Sequence, residues 1–151
     1  MVHDIPELIR LRALMFESMG VETDQPEQAQ WRERAALVIE ERFAAGTLLA
    51  VVIDSTEVDG ALVSSGMASI SQQLPGPTNP SGYEARISSI STDPAHRRRG
   101  HGGAVLDRLL AELDHRQVRR VELHATEDGR SLYESRGFRL RPGGTEMRLM
   151  R

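Results

Sequence analysis

The residues best equipped for chemistry crowd into one turn, Arg97-Arg98-Arg99-Gly100-His101-Gly102-Gly103. A β-type run ends just before it at Thr92-Asp93-Pro94, and a helical pattern of Val105, Leu106, Leu109, Leu110 and Leu113 follows. The order is strand, glycine-rich turn, helix N-terminus. The first turn of a helix leaves backbone N–H groups unpaired, and the macrodipole adds partial positive charge there. Glycines let an anion approach those groups, and arginines supply forked donors beside them. A phosphorylated ligand is expected, and a pyrophosphate suits the length of the turn. Taken alone, the arginine run can equally be a solvated basic bend.

A second cluster, Leu132-Tyr133-Glu134-Ser135-Arg136-Gly137-Phe138, follows a strand. Leu132 and Phe138 read as core anchors, and Gly137 as the stop of a short helix. Tyr133, read alone, is a half-buried core tyrosine. Glu84, Glu122 and His124 read as solvated or structural residues. No Ser/His/Asp elbow is visible, and the chain has no cysteine, which removes thiolate nucleophiles, thiolate metal sites and disulfides. A Walker loop is excluded because all 19 basic residues are arginine. A dinucleotide fingerprint starting at Gly100 meets Val105 where its third glycine belongs.

These groups need a frame. Ile5–Met19 is predicted to be an amphipathic helix with Asp4 as its cap, and Gln25–Ala45 a second, capped by Asp24 and facing the core through Trp31, Ala35, Val38, Ile39 and Phe43. Leu48–Asp54, Ala61–Leu74 and Tyr83–Thr92 read as strands. Pro75–Gly82 is a loop, since its prolines and glycines suit neither helix nor central strand, and it is a candidate rim for a cleft. After the helix that ends near His115 come a strand at Arg119–Ala125, a short helix at Gly129–Ser135, and strands at Gly137–Leu140 and Thr145–Met150. The whole of 1–151 reads as a single domain of α/β class, with a mixed, mostly antiparallel sheet and two helices before it.

What fits the turn is R-x-x-G-x-[GA], met by Arg97, Gly100 and Gly102 and again one frame later by Arg99, Gly102 and Ala104. With the L-Y-E-x-x-G-F run downstream, the pattern closely resembles the GNAT family of N-acetyltransferases, from about Leu48 to the C-terminus. The resemblance implies the acyl-CoA N-acyltransferase fold, with a V-shaped opening between strands Tyr83–Thr92 and Arg119–Ala125. It implies acetyl-CoA as the acyl donor, no metal, and transfer to a primary amine on a small molecule or a peptide. The amides around Arg98, Arg99, Gly100, His101, Gly102, Gly103 and Ala104 would hold the pyrophosphate, and the main chain of Ile90, Ser91 and Thr92 would pair with the pantetheine arm. Thr126 and Gly129 would lie along that arm, with Thr126 where the family often has Asn. Tyr133 would protonate the departing thiolate, with Glu84, Glu122 or His124 as candidate base. The family's first strand has no counterpart here, and a homodimer is left open.

Composition sets the remaining bounds. No apolar run is long enough to span a bilayer, and Met1-Val2-His3-Asp4 lacks the basic start and apolar stretch of a secretory signal, so a cytoplasmic protein is expected. Net charge is −3. Fourteen of the arginines fall from Arg86 onward, which suits a polyanionic ligand. Nucleic acid is disfavoured as a partner because only six aromatic residues are present and none accompanies the arginines. A module that binds CoA without turnover is the competing reading.

Overall fold

The computed structural model describes residues 2–151. Two helices, α1 (Ile5–Ser18) and α2 (Trp31–Ala45), precede three strands, β1 (Leu48–Asp54), β2 (Leu62–Gln72) and β3 (Tyr83–Thr92). Then come α3 (His101–His115), β4 (Arg120–Leu123) and α4 (Glu127–Ser135). The sheet runs β1-β2-β3-β4, antiparallel at its first two seams and parallel at the third. The parallel seam follows from the α3 crossover, since a strand returning beside its predecessor in the same direction needs such a connection.

Both faces of the sheet are covered. On one side α1 and α2 bury Leu8, Leu11 and Ile39 against Leu48, Leu62 and Met67. On the other, α3 sets Val105, Leu106, Leu109 and Leu113 against Leu49, Ala68, Ala85 and Ile87. Each such leucine withdrawn from water contributes about 1.5–3 kcal/mol. Gly66 lets α3 approach: a Cβ there would lie 2.5 Å from Val105 Cγ1 and 2.9 Å from Leu109 Cδ1.

Several boundaries differ from expectation. α2 starts at Trp31 rather than Gln25, because Pro26–Gln28 forms a separate 3-10 turn; Asp24 binds Arg32 at 3.0 Å instead of capping. α4 starts at Glu127, two residues early, because Thr126 accepts a hydrogen bond from the Gly129 N–H. Asp4 stands at the cap position of α1 but makes no side-chain cap bond. The strands expected at Gly137–Leu140 and Thr145–Met150 do not form: residues 136–151 carry no regular element, and Met147, Leu149 and Met150 are exposed. A strand needs a neighbour for its backbone groups, and this segment pairs with none.

Candidate active site

The site begins with a flaw in β3. Met67 of β2 pairs with Ser89 and the next residue, Ala68, pairs with Ile87, so Ser88 is an extra residue. Such a bulge bends its strand and switches faces. Ala85 and Ile87 pack towards α3. Ser89 and Ser91 carry the same odd parity yet turn to α1, where Ser89 Oγ reaches Met15 Sδ at 3.7 Å and Ser91 Oγ donates to the Leu11 carbonyl at 2.8 Å. Ile90 joins the α3 side.

The bulge also ends the pairing with β4. Only Glu84, Ala85, Arg86 and Ile87 have partners there, opposite Arg120, Val121, Glu122 and Leu123. Beyond Ile87 and Leu123 the ladder makes no further pairs, which leaves the β3 edge at Ser88–Thr92 as an opening on the β4 side. Asp93 donates its N–H to the Val63 carbonyl at 2.8 Å. By strand alternation, the N–H groups of Ile90 and Thr92 face the opening instead. The Thr92 carbonyl already accepts from Arg97 Nε at 3.2 Å.

The free edge leads into the glycine-rich turn. Asp93 caps the turn Pro94–His96 through the Ala95 N–H. Arg98 adopts φ 64° and Gly100 φ 79°, left-handed conformations that fold the chain back into α3; for Arg98 this costs about 1 kcal/mol or more. Ala104 donates to the Gly100 carbonyl, so the first intrahelical bond leaves the N–H groups of His101, Gly102 and Gly103 as the helix's unpaired donors. Arg98 and Arg99 are exposed, and among the described residues neither is paired with an acid. Three amides and two unneutralised guanidinium groups are a donor set that fits a diphosphate.

α4 docks beside this turn. Leu132 lies against Gly102 and Gly103, and Arg136 forks onto Asp107 at 3.0 and 3.1 Å. A Cβ on Gly103 would come within 2.9 Å of Arg136 Nη2. This seating aims Tyr133 into a cleft of about 840 Å³, shared with Leu123, His124, Glu122, Arg86 and Phe138. Tyr133 is edge-on to Phe138 at 5.9 Å, and Gly129 leaves space for its ring. Burial raises the Tyr133 pKa above the ordinary phenol value, so the hydroxyl stays protonated at neutral pH. Thr78 and Asn79 of the Pro-rich loop border the cleft, as its sequence suggested.

The structure thus brings Tyr133, His124 and Glu122 together and leaves Glu84 out of the cleft lining. Thr126 serves α4 as its cap, and Ser91 is committed to α1. Sequence reasoning passed over Arg86, opposite Glu122 in the seam, and Arg10, which ties α1 to the turn through Asp93 at 2.8 Å. A signal for the bulge was present: in Ile87-Ser88-Ser89-Ile90 two polar residues interrupt the alternation.

Comparison with known proteins follows the same lines. The acetyltransferase (GNAT) family model matches residues 6–138. No curated protein matches the chain. Among solved structures, a GCN5-related N-acetyltransferase from Ralstonia eutropha JMP134 superposes with a TM-score of 0.82 at 28% identity, covering 99% of this chain and 93% of the other. A predicted acetyltransferase with acetyl-CoA from Clostridium acetobutylicum gives 0.85 at 21% identity, over 98% and 92%. An acetyltransferase from Trypanosoma brucei gives 0.71 at 22%, over 99% and 94%.

Proposed function

Because the chain belongs to the acetyltransferase (GNAT) family, we propose that it transfers an acetyl group from acetyl-CoA to a primary amine by direct attack, with Tyr133 as general acid. The observation that carries this reading is an unpaired strand edge at Ser88–Thr92 running into unpaired amides at His101–Gly103, against which Leu132 seats α4 and its protonated Tyr133. The similar structure that contains acetyl-CoA supports the choice of donor.

Each part then has a task. The amides of His101, Gly102 and Gly103, with Arg98 and Arg99, neutralise the diphosphate. The outward N–H of Thr92 pairs with the pantetheine amides. The outward N–H of Ile90 hydrogen-bonds the thioester oxygen, where negative charge grows as the amine attacks. The amine nitrogen forms the new bond to the acetyl carbon, and the carbon–sulfur bond breaks. Tyr133 gives its proton to the leaving sulfur. A thiol has a pKa of about 8.5 and a phenol about 10, so donation is helped by coupling to bond cleavage. The proton shed by the attacking nitrogen passes to His124 or Glu122, which share the cleft with Tyr133, or to water. Glu84 lies less favourably for that role.

Since the protein has no thiol of its own, release of CoA can be followed with a thiol reagent free of protein background. With a panel of primary amines, Tyr133→Phe is expected to lower kcat by about 100-fold or more while calorimetry finds an unchanged Kd for CoA. Equal turnover by the variant would remove Tyr133 from the mechanism. Tight CoA uptake without transfer to any amine would favour the binding module.

A further inference from the structure

Three arginines of α1 and α2 are half-buried, and two of them hold acids: Arg10 pairs with Glu7 and Asp93, and Arg32 with Asp24. Arg12 does not. Its guanidinium lies 4.9 Å over the Phe16 ring and donates through Nη1 to the Ser88 carbonyl at 3.3 Å, with no carboxylate partner among the described residues. Phe16 is in turn edge-on to Trp31 at 5.9 Å, and Trp31 Nε1 donates to the Thr23 carbonyl, so the aromatic floor under Arg12 is fastened to the α1–α2 loop. A guanidinium carries five donors, and the contacts named here use one. Burial lowers the Arg12 pKa, whereas that of Arg10 is raised by its carboxylates; Arg12 nonetheless stays charged at neutral pH.

The location gives this cation a use. Ser88 is the bulged residue at which β3 leaves β4, so Arg12 stands at the fork of the opening. Ser88 in turn lies two residues, about 7 Å along the strand, from Ile90. α3 and the glycine-rich turn lie on one face of the sheet, and Arg12 reaches the fork from the other, so an amine that meets the thioester from the α1 side would pass its guanidinium. We propose that Arg12 is a specificity-determining residue that grips an oxyanion, carboxylate or phosphate, carried by the acceptor a few bonds from its amine. This rests on the acetyl-transfer reading above and names the acceptor class it leaves open.

Matched acceptors test it: alanine against ethylamine, phenylalanine against phenethylamine, and phosphoethanolamine against ethanolamine. The wild-type enzyme is expected to favour the anionic member of at least one pair by about 10- to 100-fold in kcat/KM. The first two pairs report a carboxylate preference and the third a phosphate preference. Arg12→Gln should bring that ratio close to one, mainly through KM, with the Kd for CoA unchanged and turnover of the neutral amine kept; Arg12→Lys should restore part of it. A preference for the neutral member of every pair, or the same ratio in wild type and Arg12→Gln, would overturn the proposal. Its fate is separable from that of the transfer reading by NMR. In 15N-labelled wild-type protein, alanine, phenylalanine or phosphoethanolamine should shift the Arg12 Nε–H signal, and the uncharged amines should not. No shift with any of the three would overturn it even if Arg12→Gln failed to fold.

Discussion

Arg10 joins more of the molecule than any motif residue does. Its guanidinium binds Glu7 at 2.6 Å, Asp93 at 2.8 Å and the Leu62 carbonyl at 2.9 Å, while Glu7 accepts the Leu62 N–H at 2.9 Å. One side chain therefore holds α1, the start of β2 and the end of β3 in a fixed relation. Hydrogen bonds from Arg10, more than any other cause, pull the Glu7 and Asp93 pKa values down. Groups so depressed stabilise the fold fully above the ordinary carboxylate range of about 4 to 4.5, and that contribution is lost as pH falls through their lowered folded values. Arg10→Gln is expected to destabilise the protein by about 2 kcal/mol at pH 7, because two half-buried carboxylates lose their partner. The variant's urea midpoint should also fall less steeply than the wild type's between neutral pH and pH 3. Nothing in Arg10 marks it in the sequence, where it reads as one polar position of an amphipathic helix.

At the scale of elements, what could be read in advance was what depends on near neighbours. The glycine-rich turn is legible because unpaired amides and left-handed conformations are properties of a few consecutive residues. The strand spans Leu48–Asp54 and Tyr83–Thr92 were legible for the same reason. The two C-terminal strands were not, since alternation announces a willingness to pair but not a partner. α3 shows how the elements are held. Its Val105 and Leu109 rest directly on Gly66, so Gly66→Ala would force side chains apart. The expected cost is about 1–3 kcal/mol, read by urea denaturation. It should come with weaker CoA binding by calorimetry, because the same helix presents the amides at its N-terminus. Unchanged stability would mean that α3 sits farther from the sheet than described.

For the molecule as a whole, stability and the cleft are housed in different parts of the chain. Both apolar clusters are complete before Gly143, with Phe138 the last residue to join. The segment beyond still gives the cleft part of its wall, through Leu140, Arg141 and Glu146. Arg141 lies 3.8 Å from Glu122 and 3.4 Å from Glu146; such exposed pairs are each worth about 0–1 kcal/mol. Truncation after Phe138 is expected to leave the thermal midpoint within about 4 °C of the wild type, yet to raise KM for the amine. A large drop in the midpoint would show that the tail is part of the cooperative unit.

Deleting Ser88 would put Ile87 directly before Ser89, and Ile87, Ser89, Ile90 and Ser91 would then alternate α3, α1, α3, α1 without a break. The ladder could then run on past Leu123 and zip the two diverging strands shut. A protein one residue shorter should fold with a more regular sheet and resist urea at least as well, yet take up no coenzyme. On this view the enzyme's working gap is kept open by a single misfit.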